Sequence, residues 1–303
     1  MFDAYLSLVE QTLAEVLPSS RPAVLSEAMR YAVGTGGKRI RPLVCLASSV
    51  AVGGKAEDAK YPAAAIELLH NYTLIHDDLP AMDNDRERRG KPTVWVKFGE
   101  ANAILAGDAL LALAYQVAAK APRNVAAIVD ILGEKGVGVV MGQVEDVSSF
   151  KFQVSSSQPE TTSLKPETTS LKPETISLKP ETTSLKPETI PLKPETLPLK
   201  PETDDFIYRH KTADLFIAAA AMGGLAGGGS DADVAALREF ALNLGLAFQY
   251  EDDLLDGDGI YPPAETERLV HETTAAAVAA LDRLPGDATF LRDLAQKLIG
   301  RKV

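Results

Sequence analysis

The stretch Leu68-Leu69-His70-Asn71-Tyr72-Thr73-Leu74-Ile75-His76-Asp77-Asp78-Leu79-Pro80-Ala81-Met82-Asp83 decides how the fold is read. His70, Thr73 and Asp77 follow i, i+3, i+7 spacing and share one face of a helix set among apolar residues. Pro80 biases Leu79 away from helical geometry, so that helix is expected to end there. Three carboxylates, Asp77, Asp78 and Asp83, then crowd a helix C-terminus, the end where the helix dipole disfavours negative charge. Like charges this close repel, and burying one uncompensated is costly. A bound cation resolves both problems.

The device recurs at Asp252-Asp253-Leu254-Leu255-Asp256. There Gln249, Asp252, Asp253 and Asp256 keep i, i+3, i+4, i+7 spacing and again share a helix face. One acidic helix end alone is most often simply solvated. Two of them on apolar helices suggest a shared cation, and hard carboxylate oxygens suit Mg²⁺, which completes its shell with water and substrate phosphates. Basic groups flank both clusters. Gly34-Thr35-Gly36-Gly37-Lys38-Arg39-Ile40-Arg41-Pro42 is a glycine-rich turn whose spacing is not that of a Walker loop. Lys38 and Arg41, three apart at a helix start, can converge on one diphosphate. Arg88-Arg89-Gly90-Lys91 follows the first cluster, and His210-Lys211-Thr212 precedes the second. Together they propose a phosphate-handling enzyme.

Elsewhere helical periodicity dominates and alternating β patterns are almost absent, which predicts an all-α fold. Helices are expected near 23–33, 38–53, 60–78, 93–98, 101–120, 123–135, 136–150, 204–226, 231–255 and 264–283, with another over 3–17. The net charge of −11 argues against a nucleic-acid partner. The single cysteine, Cys45, excludes an intrachain disulfide framework and suggests a cytoplasmic protein. Leu215 to Gly229 is the longest nearly apolar run, too short and glycine-rich to span a bilayer, so no stable membrane insertion is expected. From Thr161 to Glu202 a seven-residue unit close to Thr-Thr-Ser-Leu-Lys-Pro-Glu repeats six times. Proline in every unit rules out a continuous coiled coil. Residues 153–203 therefore read as an extended or disordered insertion within one domain spanning 1–303.

In chain order, GGKRIRP, LLHNYTLIHDDLPAMDN with RRGKPT, GQVED, HKTADLF and FQYEDDLLD resemble the motifs of the bacterial-type trans-polyprenyl diphosphate synthases. The resemblance covers roughly residues 25–150 and 204–258. The four-residue spacer between Asp78 and Asp83 is similar to the short-chain subgroup typified by farnesyl diphosphate synthase. It implies an all-α bundle of about ten or more helices around a deep cavity, usually a homodimer. By motif position, Asp77, Asp83, Asp252 and Asp256 would bind Mg²⁺, three ions per active site, with Asp78 and Asp253 in support. Arg88, Lys211, Thr212 and Gln249 would hold an allylic diphosphate, and Lys38, Arg41, His70 and Arg89 isopentenyl diphosphate. Tyr72, five residues before Asp77, resembles the floor of enzymes that stop at C15, so farnesyl diphosphate is the expected product.

The chain departs from that pattern in three places. The repeat replaces a short connection near the cavity mouth. Asp256 leads into GDGIYPPAETERL, which lacks the family's usual lysine, so that contact is either missing or replaced, with Arg268 the candidate. Asp85-Arg86-Glu87 replaces a more acidic stretch. A geranylgeranyl diphosphate synthase and a non-catalytic subunit of a heteromeric synthase are the alternative readings. A terpene cyclase fits less well, because its second metal motif mixes Asn, Ser or Thr with Glu.

Overall fold

The apolar segments are rich in alanine and glycine, and small side chains let helices pack closely. The structure, a computed structural model, describes residues 1–19, 21–156, 205–257 and 259–298. Among them are eleven α-helices: α1 (Phe2–Val16), α2 (Ala23–Gly34), α3 (Ile40–Ala51), α4 (Lys60–Asp77), α5 (Val94–Phe98), α6 (Glu100–Ala118), α7 (Val125–Ser156), α8 (Asp214–Gly227), α9 (Asp231–Asp256), α10 (Pro263–Ala280) and α11 (Thr289–Leu298). The all-α expectation holds.

Helix α8 lies at the centre, against α3, α4, α7 and α9. All of its residues but Leu225 are buried. Gly223 makes this possible: a Cβ there would collide with the Cys45 carbonyl on α3. Helix α4 packs on α6 and α3, with Ala63, Ala64, Ala65, Ile66, Leu68 and Leu69 fully buried. A helix apolar around most of its girth belongs in a core. Helix α6 is apolar and long enough, at 19 residues, to cross a membrane by composition alone. Its buried face (Ala103, Ala106, Leu110, Ala114, Val117) packs instead against α4 and α2.

Several elements differ from the sequence expectation. Residues 123–135 and 136–150 do not form two helices, because α7 runs unbroken through Gly136 and Gly138 to Ser156. The helix therefore also takes in residues 153–156, which were assigned to the insertion. The repeat itself lies outside the described residues. The segment expected as one helix over 204–226 contains a π-turn, Tyr208–Ala213, just before α8. Helix α11 and a short hairpin, β1 (Glu87–Arg88) with β2 (Lys91–Pro92), were not foreseen. The hairpin pairs Glu87 with Pro92 and Arg88 with Lys91. Its two-residue turn has φ of 56° at Arg89 and 73° at Gly90, the left-handed pair of a type I′ turn. A small second core of Ile207, Tyr208, Tyr250 and Val270 supports the end of α9.

Candidate active site

A cavity of about 730 Å³ opens between α4, α7 and the π-turn. Asp77, Gln143, Lys211 and Thr212 line it, as do Tyr72, Ile104, Val139, Val140 and Leu215. One wall is thus polar and charged, and the rest is largely apolar.

Helix α4 ends at Asp77, as Pro80 requires, with Asp78 as its C-cap. The Asp83 N–H donates to the Asp77 carbonyl at 2.9 Å, folding the loop back on the helix end. Burial pushes the Asp77 carboxyl up to about 6; Lys211 opposes this, while Asp83 and Asp78 add to it. Asp78 is buried and also raised, chiefly by desolvation. Arg88 answers it with Nε at 2.7 Å and Nη2 at 2.6 Å from Oδ1. Arg88 is thereby aimed along the acidic cluster rather than into solvent.

The glycine-rich turn is shaped by left-handed backbone at Gly36, Gly37 and Arg39, with φ of 90°, 135° and 49°. Lys38 is exposed on it. Arg39 turns inward, its guanidinium 2.7 Å from Glu10, 2.6 Å from Glu67 and 2.7 Å from the Val33 carbonyl. Arg41 points the other way and lines the cavity, with its guanidinium 4.9 Å from the Phe216 ring centroid. Burial lowers Arg41 to about 10, and Asp252 is among the charges that offset this. His70 Nε2 lies 3.4 Å from Arg41 Nη1. Burial first, then Arg41 and Arg89, hold His70 well below its usual range, so the imidazole is neutral and Nε2 accepts. Arg89, on the hairpin turn, donates to the Gly36 carbonyl and so belongs to the same basic group.

On the opposite side, Thr212 Oγ1 lies 2.8 Å from Gln249 Oε1, and Gln249 Nε2 is 3.1 Å from Asp253 Oδ1. Asp253 is buried and also accepts from the Tyr208 hydroxyl at 2.6 Å. Asp252 is half-buried and Asp256 exposed, at the end of α9, where Gly257 caps the helix with φ of 73°. The sequence reading assigned no role to Asp146 or Tyr208. Asp146 Oδ2 lies 2.5 Å from Lys211 Nζ. The GQVED motif could have flagged Asp146, but nothing in the local sequence pairs Tyr208 with Asp253. Among the described residues the Gln143 Nε2 group has no partner; it is buried on the cavity wall, where it can donate to a ligand oxygen. Arg268 is exposed and pairs with Glu272 and Glu265 along its own helix.

Among the described residues, no three Asp, Glu, His or Cys side chains converge on one metal position. Asp83 nevertheless lies near enough to raise the Asp77 carboxyl, and both carboxylates are partly desolvated. That fits an ion that takes one or two carboxylates and completes its shell with water and substrate phosphate.

The sequence model of the polyprenyl synthetase family matches residues 22–166 and 195–262, more than half of the chain. The chain belongs to the polyprenyl synthetase family. The gap between the two matched stretches falls inside the heptapeptide repeat. A heterodimeric geranylgeranyl pyrophosphate synthase large subunit of Arabidopsis thaliana is 39% identical over 82% of this chain and 58% of its own length. The chain thus spans little more than half of that protein. A geranylgeranyl diphosphate synthase of Cyanophora paradoxa is also 39% identical, over 82% of this chain and 71% of its own. Among solved structures, an FPP/GFPP synthase from Zymomonas mobilis superposes with a TM-score of 0.76 at 29% identity, covering 98% of this chain and 99% of that one. For a geranylgeranyl pyrophosphate synthetase from Pyrococcus horikoshii the TM-score is 0.79 at 26% identity, with 99% and 97% covered. Four of the motifs thus contribute to one cavity, through Arg41, His70, Asp77, Gln143, Lys211 and Thr212, whereas Lys38, Arg88, Arg89, Gln249 and the second acidic cluster are not among its lining residues.

Proposed function

We propose that this polyprenyl synthetase condenses an allylic diphosphate with isopentenyl diphosphate, as a short-chain prenyltransferase. The observation that carries the reading is the cavity: Asp77 and Lys211 stand on the same wall system as Tyr72, Leu215 and Val139. A charged rim and an apolar pocket suit a substrate with a diphosphate head and a hydrocarbon tail. Asp77 and Asp83, with Asp252 and Asp256 opposite, would hold Mg²⁺, which supplies charge neutralisation at the leaving diphosphate. Lys211, Thr212, Gln249 and Arg88 would bind the allylic head and stabilise charge as the allylic C–O bond breaks. The apolar wall excludes water from the electron-deficient carbon, leaving the alkene of isopentenyl diphosphate to attack it; the new carbocation then loses a proton to the released diphosphate, which restores a double bond. Arg41, Lys38, Arg89 and neutral His70 would hold that second diphosphate, and orienting both substrates supplies much of the remaining rate. Incubation with Mg²⁺, isopentenyl diphosphate and each allylic primer, with products identified by mass, tests the reading. Absence of turnover with every primer would reject it in favour of a non-catalytic subunit.

Two products compete. Tyr72 on the cavity wall supports C15, while the geranylgeranyl synthases among the relatives support C20. The same assay separates them. We also propose a homodimer, supported by exposed Leu105, Val137 and Met141 on α6 and α7. Sedimentation at micromolar concentration should give twice the chain mass, and a monomer would remove this part of the proposal.

A further inference from the structure

We propose that Asp214 is a positioning residue: by pinning the π-turn to α7, it sets where Lys211 and Thr212 stand on the cavity wall. The inference rests on the reading of those two residues as diphosphate ligands.

One stripe of α7 meets the turn step by step. Lys135, Gly138, Gly142 and Asp146 are spaced i, i+3, i+7, i+11 and share a helix face. Lys135 Nζ lies 3.1 Å from Asp214 Oδ1, at ion-pair distance but without hydrogen-bond geometry. A Cβ on Gly138 would collide with Asp214 Oδ2, so glycine there makes room for the carboxylate. A Cβ on Gly142 would sit 2.5 Å from the backbone nitrogen of Lys211. Asp146 then takes the Lys211 ammonium. Asp214 is 1% exposed, and its other oxygen is 2.8 Å from His210 Nδ1, which donates to it.

A π-turn is an α-helix carrying one extra residue. If the extra residue shifts or is lost, residues on its N-terminal side rotate by about 100°, one residue's share of a 3.6-residue turn. Such a rotation would carry Lys211 off the cavity wall. The His210–Asp214 bond spans the junction between the turn and α8, and Lys135 ties that junction to α7. Apolar packing against a smooth, glycine-lined helix tolerates slippage. A buried charge with two fixed partners does not, which is the best-attested use of such groups.

Asp214→Asn keeps the shape and an acceptor but removes the charge. Lys135→Met with Asp214→Asn removes both charges, and it serves where the single variant misfolds with Lys135 left to the exposed Glu134, 3.0 Å from its Nζ. The readouts are KM for each substrate and hydrogen exchange over residues 206–214, on variants shown to be folded by circular dichroism. The expected result is at least a tenfold rise in KM for the allylic diphosphate, under twofold change for isopentenyl diphosphate, and at least tenfold faster exchange across the turn. The double variant should share all three effects. Wild-type KM and exchange in either folded variant would overturn the proposal, as would equal losses for both substrates. If the wild-type protein turns over no primer, the prenyltransfer reading fails instead, and the exchange measurement alone decides the role of Asp214.

Discussion

Tyr72 is the residue whose single substitution says most about product. It stands five positions before Asp77, about 7.5 Å along the axis at 1.5 Å per residue, and both line the cavity. Its ring meets His76 edge-on at 4.9 Å between centroids, and His76 is wedged against Gly107 on α6. The ring is therefore held, not free to swing aside for a growing chain. Tyr72→Ala should lengthen the main product by at least one five-carbon unit, read by mass after reaction with isopentenyl diphosphate. An unchanged product distribution would take Tyr72 out of this role. The basic turn shows what residue types alone could not reveal. Spacing sets Lys38 and Arg41 apart from Arg39 but leaves Arg39 without a place; left-handed backbone sends it inward to Glu67 and Glu10, while Arg41 faces the cavity. That choice depends on a glutamate 28 positions away, which no local pattern announces.

Among elements, α7 and the π-turn decide how Lys211 is presented. Gly142 is placed to allow the close approach, and its replacement by alanine gives a prediction with two opposing terms. Alanine favours a helix over glycine by about 1 kcal/mol. Forcing a methyl against fixed backbone costs about 1–3 kcal/mol. Gly142→Ala should thus lower stability by no more than about 2 kcal/mol, a shift of a few degrees in Tm at most. Activity should fall much further, by about 10- to 100-fold in kcat/KM, because small displacements of a positioning group are amplified in rate. Gly133→Ala serves as the control, since its Cβ would meet nothing closer than the Tyr115 hydroxyl at 3.5 Å. Equal activity for the two variants would show that contact with α7 does not place Lys211. Helix ends were the legible part of these elements: Pro80 and Gly257 stop α4 and α9 beside their acidic clusters, for reasons of backbone geometry visible in sequence. The continuity of α7 was not legible, because its glycines look like breaks until the turn packed against them is known. The π-turn was hidden for the same reason, since one added residue leaves the apolar pattern nearly intact.

At the scale of the whole molecule, the proposed function requires a chain with net charge −11 to gather polyanions at a site bearing Asp77, Asp83 and Asp252. Burial first, then Asp83 and Asp78, raise the Asp77 carboxyl against the opposing pull of Lys211 and Arg88. Diphosphate alone meets carboxylate repulsion, and Mg²⁺ alone meets too few ligands to fill its shell. Each should therefore bind far better with the other present, a reciprocal coupling. A ligand at 100 times its dissociation constant stabilises the native state by about 2.7 kcal/mol. For a chain of this size each kcal/mol moves Tm by roughly 2–4 °C, so Mg²⁺ with inorganic pyrophosphate should raise it by about 5–10 °C. Either one alone should give less than about 2 °C on the same arithmetic. Calorimetry with and without a chelator measures this directly. If pyrophosphate gives its full shift in the presence of the chelator, the basic residues suffice and the acidic clusters do not work through a cation. If the shift needs both, the carboxylates and the basic groups form one site, closed by the ion and the diphosphate together.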